Sequence, residues 1–69
     1  MEGLTIGRNV HFVAAPDLHY PMLVTYVWNK DTGMVNLGGF DQNGDPYKAT
    51  SVVFDESGAP WTWHWIERA

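Results

Sequence analysis

The chain has 69 residues, no cysteine and a formal net charge of −4, with four Lys+Arg against eight Asp+Glu. This length allows one domain, residues 1–69, with a small core, and the lack of thiols excludes disulfides and thiolate metal sites. The acidic balance argues against binding to duplex or single-stranded nucleic acid, which normally requires a basic patch. It leaves open a small phosphate-bearing ligand, for which one or two arginines suffice.

The sequence shows no sign of export or membrane insertion. Residues 1–6 lack the basic start and the long apolar run of a signal peptide. No apolar segment approaches the length of a membrane span. Because the absence of cysteine also suits a reducing compartment, we expect a soluble, cytoplasmic protein without a membrane partner.

Alternation of apolar and polar residues predicts short strands from the start of the chain. The first strand, residues 8–14, places Val10 and Phe12 on one face, since strand side chains alternate with a period of two. Pro16 and Pro21 are expected to bracket a loop, because proline removes a hydrogen-bond donor and fixes φ. The residues between them are therefore predicted to lie outside the sheet.

The second strand, residues 22–29, has the strongest strand pattern in the chain. One of its faces is wholly apolar and the other is mixed, as expected of a central strand that is covered on both sides. The apolar face consists of Met22, Val24, Tyr26 and Trp28.

Turns containing glycine separate the remaining strands. Residues 29–33 are polar and end in glycine, which predicts a hairpin turn with a bulge. The return strand, residues 34–40, contains Gly38 and Gly39, a pair that permits a sharp bend or a close approach of another backbone segment. An Asn-Gly turn leads to a fourth strand over 48–54, and a further turn leads to a fifth.

The fifth strand, residues 61–65, holds three of the four tryptophans at every second position. A strand places Trp61, Trp63 and Trp65 on one side, with His64 on the other. These indoles can fill the core or form a platform for a flat ligand. The spacing alone does not decide between the two.

Five short strands joined by tight turns predict an all-β fold, a small antiparallel SH3-like barrel with almost no helix. No stretch has apolar residues at helical spacing. A chain this short has little core to spare, so its aromatic surplus also favours a homo-oligomer. The residues expected to contribute to the core are Val10, Phe12, Val24, Leu37 and Val52.

Several side chains could hold a small nucleotide. Indoles such as Trp63 and Trp65 can stack on bases, and His64 between them can donate to a phosphate or a base edge. Any phosphate contact must draw on the few cations or on backbone amides. Each candidate also has an ordinary structural alternative, namely core packing for the rings and a solvated surface for the arginines. The further candidates are Tyr26, Trp28, His11, Thr50, Ser51, Arg8 and Arg68.

No metal site, cofactor or catalytic activity is predicted. A zinc site would require His11, His19 and His64 to converge on one point, and nothing in their spacing demands this. The chain lacks cysteine, a Gly-x-Ser-x-Gly elbow and a phosphate loop. Its acidic residues cluster in turns, where they favour turn geometry, and a barrel of this size offers no deep pocket of its own.

The chain resembles a group of short proteins of tailed phages and prophages. Those proteins run from a Gly-x-x-Val-His-Tyr-Val start, through Val-Thr-x-Val-Trp and Val-Asn-Leu strands, to a Thr-Trp-His-Trp-Pro-Glu end. The resemblance covers nearly the whole chain, although Trp61 and Ile66 stand where the similar proteins usually have glycine and proline. The matching residues are Gly7, Val10, His11, Phe12, Val13, Val24, Thr25, Val27, Trp28, Val35, Asn36, Leu37, Thr50, Ser51, Val52, Thr62, Trp63, His64, Trp65 and Glu67.

Small phage proteins of this kind look similar to viral sponge proteins, which sequester the cyclic nucleotide signals of bacterial antiphage immunity. The resemblance implies a phage-encoded, non-enzymatic protein that binds a cyclic di- or trinucleotide in the host cytoplasm, in pockets between subunits of an oligomer. Two alternatives are an SH3-like module whose aromatic groove takes a short peptide, and a minor structural or assembly protein of the phage.

Overall fold

A computed structural model describes residues 1–66 and contains five β-strands in that range. Neighbouring strands pair around a ring to form a closed barrel, which confirms the predicted small SH3-like β-barrel. No helix occurs among the described residues, and hence none that could span a membrane. The strands are β1 (Asn9–Ala15), β2 (Leu18–Asn29), β3 (Met34–Phe40), β4 (Pro46–Phe54) and β5 (Thr62–Trp65).

The barrel is mixed, so the prediction of a purely antiparallel barrel is wrong at one pair of strands. The pairs β1–β2, β2–β3, β3–β4 and β1–β5 are antiparallel, whereas β4 and β5 run parallel. The reason is that a closed ring with an odd number of strands cannot alternate strand direction at every pair. The parallel pair is short, with Val53 opposite Thr62 and Phe54 opposite Trp63.

β2 begins at Leu18, so the prediction of a loop between the two prolines is wrong. Only Pro16 and Asp17 form the turn, and β1 pairs with the residues that follow, including His19 and Pro21. Proline is tolerated at this point because the pairing of β2 with β3 begins only beyond it. Pro21 therefore has a partner strand on one side only. A missing donor costs least at such a position, because the other side has no partner strand to bond.

A β-bulge in the middle of β2 reverses the orientation of its second half. The register of the β2–β3 pair shifts between Val24 and Tyr26. Beyond one extra residue, the side chains that would have faced the core face solvent, and those that would have faced solvent face the core. Val27 thus packs against the core, whereas Tyr26 and Trp28 are 48% and 58% exposed. The predicted continuous apolar face of β2 is wrong beyond Val24.

The core lies inside the barrel and is rich in aliphatic residues and aromatic rings. Leu4, which precedes β1, joins this cluster although no strand pattern marks it in the sequence. Trp63 is completely buried, and its Nε1–H donates to the carbonyl oxygen of Gly33 at 2.6 Å. Because burial of a large apolar side chain contributes about 1.5–3 kcal/mol, this cluster is the main source of stability. The predicted core residues are confirmed as buried: Val10, Phe12, Val24, Leu37 and Val52.

Trp61 lies outside β5, so the prediction that three indoles share one strand is wrong at this residue. Its φ is 62°, in the left-handed region that a residue with a Cβ atom adopts only with strain. Its backbone N–H donates to the carbonyl oxygen of Val13 at 2.7 Å, and its ring contacts Phe12 edge-on with 4.9 Å between centroids. Glycine, which has no Cβ atom, would adopt this φ without strain.

Gly39 allows two neighbouring strands to approach closely. A Cβ atom at this position would collide with the carbonyl oxygen of Pro21 and would lie 2.9 Å from Cα of Met22. The prediction that the glycine pair of β3 permits a close backbone approach is therefore confirmed at Gly39.

Candidate functional site: a histidine pocket on the barrel wall

Three histidines from three strands converge on the outer surface of the barrel. His11 on β1 lies directly opposite His64 on β5, and His19 on β2 lies opposite Val13. One ring nitrogen of each histidine lies within 4.8 Å of those of the other two. We call His11, His19 and His64 the histidine cluster. The cluster forms because β1 is paired with both β2 and β5.

Hydrogen bonds orient two of the three rings. Nδ1 of His64 lies 2.7 Å from the carbonyl oxygen of Trp65, and Nε2 of His64 lies 3.0 Å from Nδ1 of His19. A carbonyl oxygen can only accept, so Nδ1 of His64 carries a proton and donates it. In the neutral ring, Nε2 of His64 then has a lone pair, which accepts a hydrogen bond from Nδ1–H of His19.

The cluster runs from the protein interior to solvent. His64 is 7% exposed, His11 is half-buried and His19 is exposed. The buried end of the cluster is therefore enclosed by the protein, whereas the His19 end is accessible to solvent.

A turn in the connection between β4 and β5 lies beside the cluster. The carboxylate of Asp55 accepts hydrogen bonds from the hydroxyl and the backbone N–H of Ser57, at 2.6 and 2.8 Å. Both bonds favour the charged form and lower the pKa of Asp55 below its ordinary value. The hydroxyl of Thr62 donates to the carbonyl oxygen of Ala59 at 2.5 Å. Hydrogen bonds thus order this connection near both of its ends.

An open cavity of about 600 Å³ lies between the histidines and this turn. No deep pocket is expected inside so small a barrel, and this cavity lies outside it, against the wall. Its lining combines imidazole, carboxylate, hydroxyl and indole groups. We call it the histidine pocket, and its main lining residues are His19, Glu56, Ser57, Gly58, His64 and Trp65.

The tryptophans of β5 occupy different environments. Trp63 is completely buried and presents no ring face to a ligand. Trp65 is half-buried, lines the pocket and packs edge-on against Trp63, with 4.9 Å between ring centroids. The guanidinium carbon of Arg8 lies 5.0 Å from the centre of the Trp65 ring, in a cation–π contact. Arg68, the other arginine predicted for the site, lies outside the described residues.

The remaining predicted site residues form a separate surface on β2, β3 and β4. The rings of Tyr26 and Trp28 meet edge-on with centroids 4.7 Å apart. Oδ1 of Asn36 accepts hydrogen bonds from Nε1–H of Trp28 at 2.9 Å and from the backbone N–H of Ser51 at 3.0 Å. Thr50 and Ser51 are exposed and together oppose Asn36 in a bulge, where φ of Ser51 is 53°. We call Tyr26, Trp28, Asn36 and Ser51 the aromatic patch.

The pocket also contains residues that were not predicted to bind a ligand: His19, Glu56 and Ser57. His19 joins it because the β1–β2 turn is tighter than the prolines suggested. Glu56 and Ser57 join it through the path of a connection that has no strand pattern. The sequence held a direct signal for one pair, since His11 and His64 become neighbours once the first and last strands are paired antiparallel.

The pocket offers imidazole nitrogens, a carboxylate and an indole ring, which suit a metal ion or a polar aromatic ligand. The chain matches no protein-family model, no curated protein and no solved structure. Its function must therefore be inferred from its own residues.

Proposed function

We propose that the protein is a non-enzymatic binding protein that sequesters a small nucleotide, of the cyclic di- or trinucleotide class, in the histidine pocket. The observation that carries this proposal is the position of Trp65, a half-buried indole in the wall of a cavity that also contains His19 and His64. A volume of about 600 Å³ falls within the range of roughly 300–1,000 Å³ that is typical of small-molecule sites.

Each part of a nucleotide has a complementary group at this pocket. The indole of Trp65 can stack on a base, an interaction worth about 1–3 kcal/mol per base. The exposed imidazole of His19 can exchange hydrogen bonds with phosphate oxygens or a base edge, according to its protonation state. The guanidinium group of Arg8, held on the Trp65 ring, supplies a positive charge for the phosphates.

Sequestration, rather than turnover, is the activity that these groups favour. The carboxylates of Asp41 and Asp55 accept hydrogen bonds within their own turns, where they stabilise turn geometry. The chain has no cysteine that could serve as a nucleophile. A protein that binds a signalling nucleotide without converting it lowers the free concentration of that signal.

The biological setting of this proposal follows from the resemblance to phage proteins. A phage-encoded sponge would act in the cytoplasm of the host bacterium. There it would block the branch of antiphage immunity that relies on cyclic oligonucleotide signals. This role requires tight, reversible binding and no further activity.

Self-association is part of the proposal. Leu23, Phe40 and Ile66, on the outside of the barrel, are 45%, 53% and 47% exposed. All three line one groove of about 320 Å³. A second copy of a small domain would cover exposed apolar surface of this kind. Sedimentation at roughly tens of micromolar, the range of weak assemblies, should show an oligomer, and a pure monomer would argue against it.

A thermal-shift screen tests the binding proposal. Protein kept in a chelator is melted with cyclic dinucleotides, cyclic trinucleotides and linear nucleotides at increasing concentration. A ligand present at about 100 times its Kd should add roughly 2.7 kcal/mol to the free energy of unfolding. If none of these nucleotides stabilises the protein, the proposal is wrong.

Two tryptophan variants locate the site. Trp65→Ala removes the indole of the pocket and should weaken nucleotide binding by about 1–3 kcal/mol. Trp28→Ala removes an indole of the aromatic patch and is the matched control, with affinity expected to stay unchanged. If Trp28→Ala loses the ligand and Trp65→Ala retains it, the nucleotide binds to the patch instead.

An SH3-like interaction module, or a minor structural protein of a phage, is the second candidate function. The groove lined by Leu23, Phe40 and Ile66 favours it, because an apolar groove on a small barrel suits a short peptide or another protein. A screen of proline-rich and other short peptides, with Leu23→Asp as the control, tests this candidate. Peptides that bind the wild type and not the variant would favour it over nucleotide binding.

A further inference from the structure

We propose that the histidine cluster binds one divalent transition-metal ion, for which zinc is the best fit. His11, His19 and His64 each offer one ring nitrogen, and these nitrogens lie within 4.8 Å of one another. Zinc held by three imidazoles keeps a fourth position for water or a ligand. This inference does not rest on nucleotide binding, because the metal alone is its probe.

The orientation of His64 is the strongest support for the site. Metal-binding histidines almost always donate their other ring N–H to a carbonyl, a carboxylate or water, which fixes the tautomer and the ring orientation. Nδ1–H of His64 donates to the carbonyl oxygen of Trp65 at 2.7 Å, so Nε2 is the nitrogen that faces the cluster. The backbone of β5 thereby prepares one ligand with its lone pair in the required direction.

Strand pairing holds a second ligand beside the first. His11 and His64 are direct partners in the β1–β5 pair, and their ring centroids are 5.4 Å apart. Sites that are built on paired strands keep their geometry better than sites on loops. Two of the three ligands are therefore set by the barrel itself.

The third ligand requires only a small adjustment. With Zn–N bonds of about 2.0–2.1 Å and tetrahedral angles, two bound nitrogens lie roughly 3.4 Å apart. Nε2 of His64 and Nδ1 of His19 are already 3.0 Å apart. A metal would take the place of the proton that lies between these two nitrogens. His19 would lose this proton from Nδ1 to solvent and take one up at Nε2, so that its Nδ1 can bind the metal. Because His19 is exposed and close to the β1–β2 turn, its ring can rotate to complete the set.

The surroundings of the cluster favour a cation. Glu56 lines the same pocket, and neither lysine nor arginine occurs among its described lining residues; the one guanidinium placed nearby, that of Arg8, lies over the Trp65 ring. The formal net charge of the chain is −4. Imidazole ligands select zinc, copper or nickel, whereas magnesium and calcium prefer oxygen ligands.

A metal at this place would also serve a bound nucleotide. His19 and His64 line the pocket, so a fourth coordination position that opens to it would let a phosphate oxygen replace water. The ion would then add its positive charge to that of Arg8. This consequence, unlike the metal site itself, rests on the proposed function.

Zinc binding is measured on protein that has been stripped with a chelator and dialysed. Calorimetry should show one zinc ion per chain, and the melting temperature should rise with zinc but not with the same concentration of magnesium. Cobalt(II) in place of zinc should give the intense visible absorption of a four-coordinate ion.

Variants of single residues assign the ligands. His19→Ala removes an exposed side chain and should weaken zinc binding by at least about tenfold. Loss of a residue that only supports a ligand already costs about that much, and loss of a ligand itself should cost more. His64→Gln tests a second ligand, with folding checked by the thermal melt because His64 is buried. Thr25→Ala changes another exposed residue of β2 and is the matched control, with zinc affinity expected to stay unchanged.

A protein that takes up no zinc, or a His19→Ala variant that binds zinc as tightly as the wild type, would overturn the metal site. The nucleotide screen is carried out in chelator and repeated with added zinc, so failure of one proposal is distinguishable from failure of the other. Nucleotide binding without zinc uptake removes only this inference, and zinc uptake without nucleotide binding removes only the proposed function.

Discussion

The outer wall of the barrel carries two surfaces built from rings, and they differ in how those rings are held. The histidine pocket draws on β5, the first part of β2 and the β4–β5 connection, whereas the aromatic patch draws on the second part of β2 with β3 and β4. In the pocket, His64 is 7% exposed and hydrogen-bonded through both ring nitrogens. In the patch, Tyr26 and Trp28 are about half exposed, and one hydrogen bond ties Trp28 to Asn36.

Rings therefore lie on the surface for a different structural reason in each region. In the patch, a bulge turns residues of an apolar face outwards, and a hydrogen bond to Asn36 fastens Trp28 to the sheet. In the pocket, strand pairing brings three imidazoles to one place beside a cavity. Both surfaces carry rings, but the pocket combines concavity with convergent polar atoms, which are the features of a binding site.

The largest expected loss of stability comes from a tryptophan in the core behind the pocket, compared with a tryptophan of the patch. Trp63→Ala removes a completely buried indole and its hydrogen bond to Gly33, and should lower the free energy of unfolding by about 3–5 kcal/mol. Trp28→Ala removes an exposed indole and should cost about 0.5–1.5 kcal/mol, the worth of its hydrogen bond. Urea unfolding measures both, and equal costs would contradict the contrast.

Asn36→Ala tests whether the patch is independent of the pocket. The variant deletes the acceptor that Trp28 and Ser51 share, and each lost hydrogen bond should cost about 0.5–1.5 kcal/mol of stability. The indole N–H resonance of Trp28 should move towards that of a solvated indole in an NMR spectrum. Zinc affinity should stay as in the wild type, and a changed affinity would show that the two surfaces are coupled.

Trp61, on the connection beside the pocket, allows backbone strain to be measured. Its φ of 62° costs a tryptophan or an alanine about 1–2 kcal/mol that glycine does not incur. Trp61→Ala and Trp61→Gly both lose the ring contact with Phe12. The glycine variant should therefore be more stable than the alanine variant by about 1 kcal/mol. Thermal melts compare the pair, and the reverse order would rule out strain at this position.

The smallest effect concerns the turn that lies beside the histidines. Hydrogen bonds from Ser57 hold the pKa of Asp55 below its ordinary value. A carboxyl group with a depressed folded-state pKa contributes stability that is present at neutral pH and lost as the pH falls through that pKa. Ser57→Ala should raise the pKa of Asp55 and flatten the acidic pH dependence of stability. An NMR titration of Asp55 measures this, and an unmoved pKa would contradict it.

The barrel was predictable because the period-two pattern is strong where strands are regular. Val10 and Phe12 on β1, and Val24 on the first part of β2, are buried as the alternation requires. The pattern failed where one residue changes the phase, as at the bulge before Tyr26. It also failed at Pro21, because a proline disrupts a strand only where a neighbouring strand needs the hydrogen bond that its missing N–H would donate. Neither circumstance is encoded in the local sequence.

The site was predictable in part for a related reason. His64 and Trp65 stand out by their chemistry and their position in the last strand, and both line the pocket. His19 joins them only through the exact tightness of the β1–β2 turn, which sets its register opposite Val13. Convergence of side chains from three strands is a property of the pairing, so spacing along the chain cannot reveal it.

The histidine cluster can form only when the barrel closes, which happens late in synthesis. β5 pairs with β1 over four residues, and more than fifty residues of chain separate His11 from His64. Contacts between residues so far apart form late, because the entropy of loop closure must be overcome first. On the ribosome, β1 keeps one unpaired edge until the last strand has emerged, and such an edge is prone to aggregation. A ligand or ion that requires all three histidines therefore recognises only chains that have finished folding.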